Sequence, residues 1–107
     1  MKRFPTLFVS HGAPTLVLES NRTTDFLCGL GETLGRPSAI VCVSAHWDRP
    51  LPSVSGAASP RTVHDFAGFP PQLYTLRYQA PGSPEVAREI AGALTATGLP
   101  APNRYIY

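Results

Sequence analysis

The chain has 107 residues, a hydrophobic fraction of 43%, a charged fraction of 15% and a formal net charge of +2. This length fits one small domain or part of a larger one, and the composition excludes global disorder. Apart from Lys2-Arg3 the basic residues are scattered singly, so no basic stripe marks a nucleic-acid partner, and no apolar run approaches a membrane span.

The first element is Thr6-Leu7-Phe8-Val9, a short apolar run between Pro5 and His11-Gly12, which reads as a buried strand. The same stretch is too short for a signal peptide and is broken by His11, Gly12 and Pro14, so cytoplasmic residence is the default expectation. Gly12-Ala13-Pro14 turns the chain. From Thr23 or Thr24, which can cap, Phe26, Leu27, Leu30 and Leu34 recur at helical spacing, and Gly35 and Pro37 close the pattern. Ala39-Ile40-Val41-Cys42-Val43 follows, apolar and β-branched without polar alternation, as in a central strand covered on both faces. Strand, helix, strand in that order implies a βαβ unit and a parallel sheet. Cys28, in the helical pattern, and Cys42, in the strand pattern, read as buried small hydrophobes rather than a disulfide pair.

A stretch rich in Pro, Gly and Ser runs from Asp48 to about Pro71, with a short strand expected at Pro52-Ser53-Val54-Ser55. So irregular a stretch is more often functional than filler. Gln72 to Tyr78 fits a short helix or a strand. Ser83-Pro84-Glu85 is a helix start, with a Ser cap, Pro at the first position and an acid in the first turn. Val86, Ile90, Ala93, Leu94 and Thr97 form its expected face, and Gly98, Pro100 and Pro102 end it. Asn103 to Tyr107 reads as the start of another strand. No internal repeat or low-complexity segment is present. The chain reads as one incomplete domain, residues 1–107.

Chemistry centres on three histidines. His11 follows the first strand pattern and His46 the second, roughly one βαβ unit apart. In a parallel sheet such strand ends share one edge, where ligands bind. Neutral imidazole is a common ligand for zinc and iron(II). A single histidine at a strand end is usually only a polar loop residue; two at equivalent ends, each beside small residues, carry more weight. His64 lies in Val63-His64-Asp65-Phe66-Ala67-Gly68-Phe69-Pro70. It reads either as a solvated residue beside an Asx turn at Asp65, or as an acid-base or substrate-anchoring group in a loop folded over a pocket. Phe66, Phe69 and Trp47 are then either ordinary core or the lining of an aromatic substrate site. Ser10 and Ser44 lack the strained elbow of a nucleophilic serine, and no glycine-rich phosphate loop occurs.

Taken together these segments resemble a known family. Phe8-Val9-Ser10-His11-Gly12-Ala13-Pro14 resembles the opening motif of class III extradiol ring-cleavage dioxygenases, in their DOPA-dioxygenase-like branch. Val43-Ser44-Ala45-His46-Trp47 is similar to the second motif, Val63 to Pro70 to the third and Tyr78-Gln79-Ala80-Pro81-Gly82-Ser83-Pro84 to the fourth. The resemblance implies an α/β fold with a mainly parallel sheet flanked by helices, of which only the N-terminal part is present. It implies His11 and His46 as metal ligands, one iron(II) or zinc(II) per complete site, and a catechol-type substrate opened with dioxygen. His64 matches a position near the substrate and is the candidate catalytic residue. The family's later Asp-His-Gly and His-Asn motifs are missing here, and Asp48 and Asp65 read as loop residues rather than substitute ligands. The stretch from Leu99 to Tyr107 departs from the pattern, as expected of a truncated, frameshifted or degenerate coding sequence. The leading expectation is therefore the N-terminal fragment of an aromatic ring-opening dioxygenase, inactive by itself. The competing readings are a metal-dependent hydrolase on a similar scaffold, and a vestigial metal-binding or interaction module that forms a homo-oligomer through an unpaired sheet edge.

Overall fold

The structure is a computed structural model and describes residues 3–99 and the backbone of residues 103–104. The chain divides into two compact units, one of residues 3–38 with His64–Leu76 and the other of Ala39–Val63 with residues 77–99 and 103–104.

In the first unit a 3₁₀ turn, Pro14–Leu18, precedes helix α1, Arg22–Leu34. The cap of α1 is Asn21, ahead of the threonines expected from sequence. Its Oδ1 accepts from the amides of Thr23 and Thr24, both at 3.0 Å, and the Thr24 hydroxyl accepts the Asn21 N–H at 2.9 Å. This reciprocal box satisfies amides that the first helical turn leaves without intrahelical partners. Gly35, at φ 83°, ends the helix, and its N–H reaches the Gly31 carbonyl. Leu27, Leu30 and Leu34 are half-buried, while Phe26 is exposed. Cys28 falls outside that leucine stripe and is exposed, contrary to the burial expected of it. A second 3₁₀ turn, Pro71–Thr75, settles the ambiguity at Gln72 to Tyr78 in favour of helix for its first part and buries Leu73.

The second unit joins strand β1, Val54–Ser55, to strand β2, Asn103–Arg104, through helix α2, Pro84–Ala96. The strands are parallel, with Val54 opposite Asn103 and Ser55 opposite Arg104. The Ser83 hydroxyl accepts the Val86 N–H at 3.3 Å, the cap expected from Ser83-Pro84-Glu85. The helix packs on β1 and β2 through a face turned partly from the expected one. Ala87 and Ala91 are its buried residues, and Ala93 and Thr97 are exposed. Two alanines one turn apart allow a close approach that larger side chains would prevent. Tyr105, Ile106 and Tyr107, the rest of the stretch read as a strand, lie outside the described residues, as do Pro100 and Pro102.

Segments 57–62 and 78–82 are tied side by side. The Gly82 N–H donates to the Ala58 carbonyl at 2.9 Å, and the Tyr78 N–H to the Thr62 hydroxyl at 3.2 Å. A Cβ at position 82 would collide with the Ala57 carbonyl, so the approach requires glycine.

Among the described residues the only strand pairing is the two-residue ladder of β1 and β2. Thr6–Val9 and Ala39–Val43 carry no strand assignment, because a strand forms only against a neighbour that takes up its N–H and C=O groups. Cys42 is exposed along with its run, so the burial expected of it is also not found.

Candidate functional site

His11 stands between an apolar run and a turn. Gly12 after it has φ 66°, a backbone conformation natural only to glycine, and the 3₁₀ turn at Pro14 begins two residues later. The His11 Nδ1 lies 2.8 Å from the Gly12 carbonyl oxygen. A carbonyl can only accept, so Nδ1 carries the proton, and in the neutral ring Nε2 bears the lone pair. A backbone acceptor on one nitrogen is the usual way in which the other is fixed as a metal ligand.

His46 is in the turn that ends the Ala39–Val43 run. Its backbone N–H donates to the Ser44 hydroxyl at 3.1 Å, and Trp47 N–H reaches the Ser44 carbonyl at 3.4 Å. Ser44 is therefore a turn residue that places His46, in keeping with the absence of a nucleophilic elbow. The His46 side chain is exposed. The Trp47 indole Nε1, by contrast, is buried with no hydrogen-bond partner among the described residues.

His64 is half-buried rather than solvated. Its Nε2 lies 2.9 Å from the Leu76 carbonyl and must donate to it, so its neutral tautomer is the opposite of that at His11 and places the lone pair on Nδ1. Rings gather beside it. Phe66 packs on Phe69 at 5.3 Å, edge to face, and on Tyr74 at 5.2 Å, while His64 stands 6.1 Å from Phe66 and 6.3 Å from Tyr74. These are ordinary aromatic packing distances. The Tyr74 hydroxyl, which sequence reasoning passed over, clips the loop by donating to the Phe66 carbonyl at 3.2 Å and accepting the Phe69 N–H at 3.5 Å. The spacing of Phe66, Phe69 and Tyr74 was the available signal for it. Phe66 and Phe69 thus pack against neighbouring rings.

His11 and His64 belong to the first unit and His46 to the second. Among the described residues no group of three or more His, Cys, Asp or Glu side chains is placed to hold a metal ion. A groove of about 610 Å³ in the second unit is lined by Arg61, Thr62, Arg77 and Gln79 and contains none of the histidines. No helix among the described residues is long and apolar enough to cross a membrane.

The local geometry around His11 and His46 accompanies a clear sequence kinship. The chain is 49% identical over 92 residues to a 4,5-DOPA dioxygenase extradiol of Escherichia coli (strain K12), a match covering 86% of this chain and 34% of that protein. It is 39% identical over 101 residues to a protein of the same name from Beta vulgaris, covering 92% and 38%. A dioxygenase of Hapsidospora irregularis is 38% identical over 107 residues, covering 89% and 33%. No family model matches the chain. The chain is thus a homologue of extradiol dioxygenases. In particular it corresponds to the N-terminal portion of proteins named 4,5-DOPA dioxygenase extradiol, and spans only about a third of their length.

Proposed function

We propose that this chain supplies the N-terminal part of a metal-dependent extradiol dioxygenase that opens the ring of a DOPA-type catechol with dioxygen. The observation that carries the reading is the 49% identity to a 4,5-DOPA dioxygenase extradiol across most of the chain. In this reading His11 and His46 are two ligands of one iron(II) or zinc(II) per complete site, with the remaining donors lying outside these 107 residues. The Nδ1–H bond from His11 to Gly12 supports the assignment, since in the neutral ring it leaves the lone pair on Nε2. His64 serves as an acid-base or substrate-anchoring group, through the Nδ1 that its bond to Leu76 leaves as the basic nitrogen. The sheet of the complete domain is mainly parallel with flanking helices, and the setting is cytoplasmic. The metal would polarise the catechol hydroxyls.

The chain alone, in which no group of three donors is placed to hold a metal among the described residues, should bind metal weakly and turn over no catechol. The test is titration of the purified chain with zinc(II) and, without oxygen, iron(II), for wild type, His11→Ala and His46→Ala. Loss of an outer partner of a ligand costs about 10–100-fold in affinity, so loss of a ligand should cost at least about tenfold. Each substitution is expected to weaken binding by that amount while leaving the helical circular dichroism unchanged. Metal binding that survives both substitutions removes the assignment, and catechol turnover by the chain with iron(II) removes the claim that it is incomplete.

A further inference from the structure

His11 and Gly12 are consecutive, and the bond between them turns on one backbone angle. The His11 Nδ1 lies 2.8 Å from the Gly12 carbonyl oxygen. That carbonyl group hangs from the N–Cα bond of Gly12, so the sign of φ decides on which side of the His11–Gly12 peptide plane it lies. At the observed φ of 66° it lies on one side; at the negative φ usual for L-residues it lies on the other. The chain beyond is held in place. Ala13 is extended ahead of Pro14, at φ −75° and ψ 158°, and its carbonyl takes the Leu16 N–H at 3.0 Å.

Room is not what glycine supplies at this position. A Cβ at position 12 would meet no atom within 4 Å, unlike one at position 82, which would collide with the Ala57 carbonyl. What glycine does supply is a positive φ without steric cost. We propose that Gly12 is a positioning residue for His11: its positive φ holds the imidazole as the Nδ1–H tautomer and leaves Nε2 as the basic nitrogen. The neutral ring carries one proton that either nitrogen can hold, so a hydrogen bond at one of them shifts the ratio of the two forms. His11 is exposed, and a bond of ordinary net strength there shifts the ratio about fivefold. The consequence for metal rests on the reading of His11 as a ligand. A metal bound through Nε2 selects the form with its lone pair there, and its apparent affinity falls with the fraction of that form.

The test reads the imidazole nitrogens of the isotope-labelled chain by long-range proton–nitrogen NMR, about two pH units above the ordinary histidine pKa, where the rings are neutral. In wild type, His11 is expected mainly as Nδ1–H, and His64, which donates from Nε2 to the Leu76 carbonyl, as the opposite form. Gly12→Ala should move His11 about fivefold toward Nε2–H, leave His64 unchanged, and weaken zinc(II) binding by no more than that factor. A chain with D-alanine at position 12, assembled by ligation at Leu27–Cys28, carries the same methyl group but favours positive φ, and should match wild type. His11 found mainly as Nε2–H in wild type, or unmoved by Gly12→Ala while His64 keeps its form, overturns the proposal. So does a D-alanine chain that behaves as the L-alanine chain does, and this comparison decides alone if Gly12→Ala loses its helical circular dichroism. Zinc binding indifferent to both Gly12→Ala and His11→Ala removes the ligand assignment and leaves the tautomer result standing, so the two readings fail separately.

Discussion

Helix α2 and the run Ala39–Val43 belong to the same unit, yet one is capped and packed while the other is open on both faces. The helix closes its own hydrogen bonds within thirteen residues, takes its cap from Ser83 next door, and needs only two alanines to seat on β1. The run has higher intrinsic strand preference than β1, but its backbone groups can be satisfied only by another strand. What separates the two regions is therefore that the helix satisfies its backbone locally, whereas the run needs a neighbouring strand and has none among the described residues. Three substitutions break or sharpen that contrast.

The largest effect is expected at Gly82→Ala. The new methyl group would meet the Ala57 carbonyl, which is backbone and cannot swing aside like a side chain. The hydrogen bond from Gly82 to Ala58 holds the two segments at that separation. Overpacking of this kind costs about 1–3 kcal/mol. The urea midpoint of the variant should fall accordingly, and amide exchange should quicken at Tyr78 and Gly82 before it quickens in α1. An unchanged midpoint would show that segments 57–62 and 78–82 separate easily, and that the closed region is no more secure than the open run.

A smaller loss is expected at Asn21→Ala. Removing the Oδ1 acceptor leaves the Thr23 and Thr24 amides of α1 without their cap, at about 1 kcal/mol. For a chain of this size the melting midpoint, followed at 222 nm, should drop by about 4–8 °C. Asn21→Asp keeps the acceptor and should restore the midpoint. Failure of the aspartate to rescue would mean that packing, and not the cap, fixes where α1 begins.

The parts of the fold that could be read from the sequence have the same local character. Ser83-Pro84-Glu85 announces α2 because all the determinants of a helix start lie within three residues, and Gly12 marks a turn because its φ of 66° is available to glycine at little cost. The burial of Cys28 and Cys42 was not legible, because burial depends on what covers a surface and no single residue encodes that. The face of α2 was legible in part: Val86, Ile90 and Leu94 are half-buried as their spacing implies, but the residues seated deepest are the small Ala87 and Ala91, which close approach selects. Of the candidate site, only the candidacy of the three histidines was legible. The opposite tautomers at His11 and His64 were not, because each is set by a carbonyl that only the folded backbone brings into place, at Gly12 and Leu76.

The smallest expected effect is the most discriminating. Val43→Asp places a charge on the last residue of the most strand-like sequence in the chain, where a central strand would not tolerate it. In the isolated chain, Val43 is 95% exposed, and exposed substitutions away from special features change stability by less than about 0.5 kcal/mol. The urea midpoint of the isolated variant should therefore match that of wild type, and its solubility should rise because an apolar surface has been interrupted. A loss of more than about 2 kcal/mol would mean that the run is already buried in the isolated chain. The contrast with α2 would then disappear, and Ala39–Val43 would be an ordinary core strand.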